Sequence, residues 1–600
     1  MRISVWVGGL GAVGIAALAI WIAWAIASAP SADQMRIMMT SAKIKKDRAS
    51  TQGECLFPLH VDEEAISTPL RKVLLGAEDS DFYKHAFGIS ERGLLYAAIT
   101  LGRRRGGSTI TQQLVKNILF EPGDNRWKRK ALELPWSIIM DAQFTKSEIL
   151  TAYLNNIPFR HGIYGIQAAS YYYFGKPVSA LNYMDSAEME VMLSNPWTDL
   201  DGDDRRIART RAKARNLLVA LLRRKAIPFV ALKDREAVAE ADAPNVDCGY
   251  VRDFAMREIR HEQWMNDAPD TYRIFLTVDP VRQYAARKAV DSVIDDLERK
   301  QGSQLSIVDL DRSGRVLALQ GGADYDDSQF DRASNSRRSP GSLAKIFVMA
   351  EACEQGKTLN SVVHDLPFPN GRPKNYDGKY KGDITLREAF AESRNAAFVR
   401  LAEEIGVAKI RDRARLFGIA GPFPGGGEIA LGQFEATPLQ MTAAVATIAN
   451  GGRYVQPYAV AGISGSYGSV SHWRKTLAPE TRAVSERCAN VLDEAMRDVV
   501  IFGTGRRADI AFARGKTGTT NDYRDAWFVG YAQPAVVGVW VGNDDHRLTM
   551  SNVTGGDIPA HTFRNYLVAI NTAPPRKRKQ VPTVDSPKSI ALVPTDFANN

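Results

Sequence analysis

The sequence predicts a multi-domain protein of the α and α+β classes with a transmembrane helix at its N-terminus. Its 600 residues are enough for about four units of roughly 150 residues each. Residues 3–27 carry no charge, residues 50–200 show helical periodicity, and residues 276–570 mix short β-rich runs with helices and glycine-rich turns. We therefore expect an anchor, a helical domain, a linker region at 201–275, a mixed domain and a disordered tail at 571–600.

Residues 1–30 are the predicted cytoplasmic tip and transmembrane anchor. As a helix, the uncharged run would be about 37 Å long, enough to cross a hydrocarbon core of about 30 Å. A cleaved signal peptide is the alternative because Ala27-Ser28-Ala29 resembles a cleavage site, although signal peptides have apolar regions of only about 7–15 residues. Orientation stays open at this point, because several cations follow the run and the positive-inside rule would hold them in the cytoplasm: Arg36, Lys43, Lys45, Lys46 and Arg48.

Composition excludes several classes of protein. The four cysteines are too few and too scattered for a disulfide scaffold and lack the paired spacing of a structural zinc site: Cys55, Cys248, Cys353 and Cys488. The eight histidines form no HExxH motif, so no metal site is predicted. The net charge of +9 suits an anionic partner, and residues 205–225 are rich in Lys and Arg. We interpret that segment as an amphipathic helical connector rather than a nucleic-acid site, because an anchor precedes it and no nucleic-acid-binding fold is recognisable.

Local signals place the helices and strands that matter most. Thr145 and Glu148 form a capping-box pattern before an apolar helical face. Asp279-Pro280 is a typical helix start, and the run at 536–541 is typical of a buried strand.

A first set of chemically useful residues lies between positions 78 and 175. Glu78 begins the segment EDSDFYKH, and GGSTITQQLVKN follows with Gln112 and Lys116 on one helical face. Arg129 and Glu133 stand four residues apart in RKALE, a spacing that also fits a simple surface ion pair. Together, carboxylates and cations suit glycosyl transfer from a phosphate-activated sugar, which needs a base for the attacking hydroxyl and positive charge for the departing pyrophosphate.

These segments, followed by KSEILTAYLN and GIYGIQAASYYYFGK, resemble the five ordered motifs of the peptidoglycan glycosyltransferases. Those are the lysozyme-like domains of class A penicillin-binding proteins and of their monofunctional relatives. The resemblance implies that Glu78 is the general base on the acceptor 4-hydroxyl, that Glu133 is a second essential carboxylate, and that the transfer inverts the anomeric centre. It implies substrate contacts from Asp79, Phe82, His85, Ser108, Thr109, Gln112, Gln113, Lys116, Arg129 and Lys130.

The chain departs from the family pattern at three places. Thr151 stands where the fourth motif usually has Glu, and Arg160 stands where the fifth region usually has Gly. The segment His85-Ala86-Phe87-Gly88 is one residue longer than the usual His-x-Gly. None of these changes removes a predicted catalytic carboxylate.

A second set lies between positions 339 and 531. Ser342 and Lys345 stand three residues apart, on one face of a helix that follows Pro340-Gly341. An S-x-x-K match alone occurs by chance in a chain of this length, but Ser393-Arg394-Asn395 and then Lys516-Thr517-Gly518 follow in order. The triple resembles the active-serine, penicillin-recognising enzymes, and in particular class A penicillin-binding proteins.

That resemblance implies acyl transfer in a serine β-lactamase/transpeptidase-like domain with an antiparallel sheet. Ser342 would be the nucleophile and Lys345 its base, because serine needs a neighbouring group to take its proton. Ser393 would relay the proton and Asn395 would orient the substrate amide. Lys516 and Thr517 would hold the terminal carboxylate, next to Gly518 and Thr519, and the N–H groups of Ser342 and Thr519 would form the oxyanion hole.

We therefore expect a bifunctional peptidoglycan synthase, single-pass in the cytoplasmic membrane with its catalytic domains outside the cytoplasm. The expected partners are lipid II, nascent peptidoglycan, β-lactam antibiotics as inhibitors, the membrane and other cell-wall synthesis proteins, and not nucleic acid. Transpeptidation is expected to require no cofactor, whereas a divalent cation is a possible aid to glycosyl transfer. The alternatives are a variant with one activity and a non-catalytic cell-wall scaffold.

Overall fold

The structure is a computed structural model that describes residues 21, 23–40, 43–47, 54–56, 61–85, 87–90, 108–120, 125–159, 163–194, 198–200, 204–228, 248–261, 271–464, 470–473 and 481–571. Of the uncharged run at 3–27, only residues 21 and 23–27 are described, and they are helical. Within the described ranges, no helix is both long and apolar enough to cross a membrane. The predicted tail lies outside them from residue 572 onward.

The first domain is helical, as its periodicity predicts. The predicted capping box is confirmed: the Glu148 N–H donates to Thr145 Oγ1 (3.1 Å), and the Thr145 N–H donates to Glu148 Oε2 (2.8 Å). A buried apolar core, including Leu114, Trp136 and Leu150, joins the helices. They are α1 (Ala32–Thr40), α2 (Thr68–Glu78), α3 (Ile110–Leu119), α4 (Arg126–Gln143), α5 (Lys146–Asn156), α6 (Ile166–Phe174) and α7 (Tyr183–Ser194).

The basic segment after this domain is an amphipathic helix, as predicted, α8 (Asp204–Arg223). Its buried residues Ala214, Leu218 and Leu221 share a small core with Val73 of α2 and Val191 of α7. The helix therefore packs on the first domain through its apolar side.

A five-stranded antiparallel sheet draws its strands from three distant parts of the chain, in the order β2-β1-β3-β8-β9. Phe275 of β3 and Ala461 of β8 are buried in the core of the helical domain. Ile274 and Ile463 of the same two strands are buried in the core of the second domain, so the sheet joins the two domains. Its strands are β1 (Lys43–Asp47), β2 (Glu54–Leu56), β3 (Thr271–Leu276), β8 (Val460–Ser464) and β9 (Val470–Trp473).

The second domain is built on an antiparallel sheet in the order β10-β11-β12-β4-β5, which confirms the predicted antiparallel sheet. Its two central strands β11 and β12 are buried along their whole length, because helices cover both faces. The strands are β4 (Gln304–Leu310), β5 (Val316–Gln320), β10 (Arg514–Thr519), β11 (Asp525–Ala532) and β12 (Ala535–Gly542), with a separate hairpin of β6 (Val362–Asp365) and β7 (Gly382–Thr385).

Helices surround this sheet. The predicted start at Asp279-Pro280 is confirmed, because Asp279 accepts hydrogen bonds from the Val281 and Arg282 N–H groups. The helices are α9 (Gly249–His261), α10 (Pro280–Asp291), α11 (Ile294–Arg299), α12 (Lys345–Glu354), α13 (Leu386–Ala391), α14 (Asn395–Ile405), α15 (Val407–Leu416), α16 (Pro438–Ala449), α17 (Glu486–Ile501) and α18 (Ile558–Asn571).

A disulfide joins Cys353 of α12 to Cys488 of α17 across 135 residues of sequence. The spacing of the four cysteines did not predict this pair. Helix α12 follows the Ser342 turn, and α17 packs against β10, which carries Lys516-Thr517-Gly518. The disulfide therefore connects two helices that lie next to the Ser342 and Lys516 motifs.

Candidate active sites

The first site forms around Glu78, the last residue of α2. Ser67 begins this helix by accepting a hydrogen bond from the Leu70 N–H (3.1 Å), and Leu70, Val73 and Leu74 bury one face. The Gln113 side-chain amide on α3 donates to Glu78 Oε2, and the Tyr153 hydroxyl on α5 donates to Gln113 Oε1 (3.1 Å). Glu78 itself is half-buried. The Gln113 amide therefore holds the candidate base, which remains partly exposed to an incoming hydroxyl.

The loop after Glu78 is fixed by buried hydrogen bonds. Asp79 contacts His85 Nε2 through Oδ1 (2.7 Å) and accepts from the Ile110 N–H through Oδ2 (3.0 Å). The Thr109 hydroxyl donates to the Gly88 carbonyl (2.6 Å). These contacts hold the predicted residues Asp79, His85 and Thr109 together where the loop meets the start of α3.

Several cationic side chains lie near the contact between this loop and α3. Lys130 pairs with Glu133 (2.5 Å) and donates to Ser108 Oγ (3.2 Å), so the partner of Glu133 is Lys130, three residues away, rather than Arg129. Glu133 is buried, which excludes the simple surface pair considered from the sequence. Burial lowers the pKa of Lys116, as does the charge of Arg129, while Glu133 opposes the shift. The predicted cations and Glu133 therefore lie in one electrostatic neighbourhood.

Two predicted substrate residues have structural contacts. The Thr109 N–H donates to Gln112 Oε1 (3.0 Å), and the Gln112 N–H donates to Thr109 Oγ1 (3.2 Å), so Gln112 forms the capping box that begins α3. Phe82 is only 1% exposed and lies under the Lys146 ammonium, 5.1 Å from its ring centre. Both residues shape the site from within the protein core.

The structure locates part of each departure from the family pattern. Thr151 Oγ1 accepts from the Glu63 N–H (3.1 Å), so this side chain supports the start of a short 3-10 turn. In the longer His85–Gly88 segment, Gly88 has φ +65°, and an added Cβ would lie 2.9 Å from the Ser137 carbonyl oxygen. Arg160 and Ala86 lie outside the described residues.

Sequence reasoning missed one residue in this site. Glu190 on α7 is buried and interacts electrostatically with Glu78. The available signal was a pair of glutamates, Glu188 and Glu190, in a helix whose residues 185–192 are all buried. Acidic side chains are rarely buried without a partner.

The second site forms at the turn that carries Ser342. Residues Gly341–Ala344 make a 3-10 turn that leads directly into α12, where Lys345 begins the helix. The helical spacing therefore places Ser342 and Lys345 side by side, and Lys345 Nζ lies 2.9 Å from Ser342 Oγ. This confirms the juxtaposition expected from the S-x-x-K spacing.

Lys345 is fully buried, and its Nζ is surrounded by oxygen atoms: the Ser393 carbonyl (2.7 Å), Ser393 Oγ (3.1 Å) and Asn395 Oδ1 (2.8 Å), besides Ser342 Oγ. Burial, with the nearby charges of Lys516 and Arg394, lowers the pKa of Lys345 well below its ordinary value. A neutral amine can donate to Ser393 and Asn395 while its lone pair accepts the Ser342 hydroxyl proton. Lys345 is thus suited to act as a base.

Ser393 lies between the two lysines. Lys516 Nζ donates to Ser393 Oγ (2.9 Å) from the side opposite Lys345. Ser393 has φ +58°, a left-handed conformation that costs a non-glycine residue about 1–2 kcal/mol. Burial lowers the pKa of Lys516 to about 7. The arrangement gives a continuous hydrogen-bonded path from Lys345 through Ser393 to Lys516.

Strand β10 lies close to the serine turn. An added Cβ at Gly518 would lie 2.4 Å from the Pro340 carbonyl oxygen, and one at Gly341 would lie 2.6 Å from the Thr519 carbonyl oxygen. Both glycines are therefore needed for the strand and the turn to approach each other. Thr517 is held by a hydroxyl contact with Thr504 (2.6 Å). The predicted residues Thr517, Gly518 and Thr519 thus line up beside Ser342.

These groups border a cleft of about 2080 Å³, lined among others by Ser342, Ser393, Asn395, Thr517 and Thr519. Within the described ranges, no group of three or more His, Cys, Asp and Glu side chains is placed to hold a metal ion, so no chemical step is assigned to one. The buried Glu133 Oε2 has no hydrogen-bond partner, but a single oxygen does not make a cation site.

Comparison with known proteins matches both halves of the chain. The transglycosylase family model matches residues 57–220, and the model of the penicillin-binding protein transpeptidase domain matches residues 306–567. The chain is 28% identical to penicillin-binding protein 1A of Rickettsia bellii, over 84% of this chain and 81% of that protein. It is 30% identical to penicillin-binding protein 2D of Bacillus subtilis, over 79% of this chain and 72% of that protein.

A solved structure also has the same fold. Penicillin-binding protein 1A from Haemophilus influenzae aligns with a TM-score of 0.50 and 20% identity, covering 88% of this chain and 92% of that chain. The family models, the curated relatives and the two assembled sets of side chains agree. The chain belongs to the class A penicillin-binding proteins, which unite a peptidoglycan glycosyltransferase and a serine-type DD-transpeptidase.

Proposed function

We propose that the first site polymerises lipid II with Glu78 as general base. Glu78 takes the proton of the acceptor 4-hydroxyl as that oxygen attacks the donor anomeric carbon. The bond from this carbon to the pyrophosphate oxygen breaks, and the configuration inverts. Lys116, Arg129 and Lys130 neutralise charge on the departing lipid-linked pyrophosphate, and Glu133 holds Lys130 in position. The observation that supports this role is a half-buried Glu78 held by Gln113 beside a cluster of cations.

We propose that the second site crosslinks stem peptides through an acyl-enzyme. Ser342 Oγ attacks the carbonyl carbon of the penultimate D-Ala while Lys345 accepts its proton, and the Ser342 and Thr519 N–H groups stabilise the oxyanion. The peptide bond breaks, and the path through Ser393 delivers a proton to the amine of the departing D-Ala. An amine of a neighbouring peptide then displaces Ser342. The supporting observation is the 2.9 Å contact between Lys345 Nζ and Ser342 Oγ.

Family membership implies β-lactam binding, and the same serine explains it. A β-lactam presents a strained amide and a carboxylate to Ser342 and to Lys516. Attack opens the ring, so the leaving amine stays attached to the acyl-enzyme, and deacylation is slow.

We propose that the protein is anchored in the cytoplasmic membrane by one span and acts on its outer side. The uncharged run at 3–27 supports the span. The Cys353–Cys488 disulfide supports an extracytoplasmic position, because such bonds persist in oxidising compartments. Both substrates of a peptidoglycan synthase are met on that side.

The test is a polymerisation and crosslinking assay with lipid II in detergent, followed by muramidase digestion and mass spectrometry. We expect Glu78→Gln to abolish polymer, and Ser342→Ala to leave polymer but remove crosslinked fragments. Labelling with a fluorescent penicillin should persist in Glu78→Gln and vanish in Ser342→Ala. Full polymer from Glu78→Gln would refute the assigned base, and crosslinks from Ser342→Ala would refute the assigned nucleophile.

A further inference from the structure

We infer that Glu190 is a positioning residue for glycosyl transfer, a protonated carboxyl that donates a hydrogen bond to Glu78 and holds this base in place. The inference rests on the proposed role of Glu78. It assigns to α7 a part in the reaction that none of the five motifs contains.

The environment of Glu190 disfavours a negative charge. Its side chain is 3% exposed, and its Oε2 atom receives no hydrogen bond within the described part of the chain. No described Lys, Arg or His forms an ion pair with it. An ionised carboxylate without a cation or donors is costly to bury, so this carboxyl retains its proton.

The neighbour of Glu190 has the opposite requirement. Glu78 interacts electrostatically with Glu190 across the packing of α7 on α2, is half-buried and must be ionised to act as a base. Two carboxylates in contact cannot both ionise at little cost, so such a pair shares one proton. Burial first, and then the charge of Glu78, raise the pKa of Glu190 well above its ordinary value. The proton therefore belongs to the deeper carboxyl.

The shared proton gives the Glu78 carboxylate a second hydrogen-bond donor. The Gln113 amide donates to Glu78 from α3, and a protonated Glu190 would donate to it from α7. Tyr153 orients Gln113 in turn (3.1 Å). Donors on two different helices restrict rotation of the Glu78 carboxylate, which keeps its basic oxygen toward the acceptor site.

The remaining charged or titratable groups around α7 are engaged elsewhere. Asp185 pairs with Lys176 (2.6 Å), and Glu188 lies 3.7 Å from Arg211 of α8. From neighbouring elements, Lys116 of α3 interacts electrostatically with Glu78, and Tyr153 of α5 interacts with Glu78, Glu190 and Asp79. Tyr153 is neutral because burial and these carboxylates raise its pKa well above its ordinary value. Glu78 is thus the direct partner of Glu190.

This arrangement predicts how polymerisation responds to pH. As the pH rises and Glu190 loses its proton, Glu78 loses a donor and gains a repelling neighbour. The turnover number should therefore fall on the alkaline side of the profile. Glutamine at position 190 would supply a neutral N–H donor at every pH and should remove this fall.

The experiment measures kcat and KM for lipid II polymerisation against pH in the full chain. At the pH optimum, we expect the kcat of Glu190→Gln to stay within about 3-fold of that of the unmodified protein. On the alkaline side of the profile, its kcat should no longer fall. Glu190→Leu, of similar volume but without a donor, should lose about 10-fold or more in kcat with little change in KM. Glu188→Gln is the matched control on the same helix and should leave the shape of the profile unchanged.

Circular dichroism and the KM for lipid II report whether the glycosyltransferase domain of each variant remains folded. Identical pH profiles for the unmodified protein and Glu190→Gln would overturn the inference, even if Glu190→Leu failed to fold. Equal kcat for Glu190→Leu and the unmodified protein would also overturn it. Polymerisation by Glu78→Gln would instead refute the proposed base, so the two failures are distinguishable.

Discussion

Two buried lysines of the transpeptidase site need opposite charge states. Lys345 must be neutral to accept the Ser342 proton, whereas Lys516 must be charged to attract a carboxylate. Lys345 has both the Lys516 and Arg394 charges near it, and burial and these charges keep its pKa well below the ordinary value. Burial lowers the pKa of Lys516 less far, to about 7. The site therefore works in the range where Lys345 has lost its proton and Lys516 retains one.

The pH dependence of acylation follows from this difference. In the free protein, Lys516 loses its charge as the pH rises through about 7, so the second-order rate constant for penicillin should decline above that pH. The measurement is the rate of fluorescent-penicillin labelling against pH. A penicillin ester lacks the carboxylate that Lys516 binds, so its rate should not show this alkaline decline. The same decline with the ester would assign it to another group.

At the residue scale, sequence spacing predicted which side chains lie next to each other better than it predicted which side chains form ion pairs. Ser342 and Lys345 meet because three residues make about one helical turn, a local constraint visible in the sequence. The spacing of Arg129 and Glu133 also fits an ion pair, but Glu133 pairs with Lys130, because side-chain packing selects among near neighbours. Glu190 was missed because only the packing of α7 on α2 reveals that it reaches Glu78.

At the scale of elements, both ends of the segment from His85 to Gly88 contact residues next to the active-site helices α2 and α3. Asp79 links this loop to α3, and Thr109 holds its end through the Gly88 carbonyl (2.6 Å). The loop has one residue more than the family pattern, yet it is tied down at both ends. Its length is therefore compatible with a defined site.

The substitution Gly88→Ala tests how tightly this loop is packed. Ala would adopt φ +65° at a cost of about 1–2 kcal/mol and would crowd the Ser137 carbonyl, which we expect to add about 1–3 kcal/mol. Gly451 is the matched control, because it has the same φ of +65° but no neighbouring atom within 4 Å of an added Cβ. Gly88→Ala should lose more thermal stability than Gly451→Ala, each measured for the unfolding of its own domain, and Gly88→Ala should also lower polymerising activity. Equal losses would show that backbone strain alone, and not contact, limits position 88.

At the scale of the whole molecule, the sheet β2-β1-β3-β8-β9 holds the two enzymes together. The sequence predicted a linker region, and periodicity within any one of its segments gave no sign of this sheet. Strand β1 pairs with β3 more than two hundred residues away, with Ile44 opposite Ile274, and β8 follows on the other side of β3. Pairing between such distant strands depends on the tertiary fold, whereas the helices and the S-x-x-K turn depend on local spacing.

Arg273 provides the polar contact of this sheet with the glycosyltransferase domain. From β3, its guanidinium donates to the Asn117 (2.8 Å) and Phe120 (2.9 Å) carbonyls at the end of α3, where a helix favours positive charge. Arg273→Met should remove these bonds and destabilise the glycosyltransferase domain by about 1.5–3 kcal/mol. The measurement is the rate at which each activity is lost on heating.

Polymerisation should then fail earlier in Arg273→Met than in the unmodified protein, while penicillin labelling keeps its original heat resistance. The control is Arg299→Met, which removes an exposed pair with Asp296 (3.3 Å) and should shift neither activity, because exposed ion pairs contribute little. Parallel loss of both activities in Arg273→Met would mean that the two domains unfold as one unit. The separate result would instead show that the sheet connects two domains whose stabilities are largely independent, since α3 depends on Arg273 and the Ser342 turn does not.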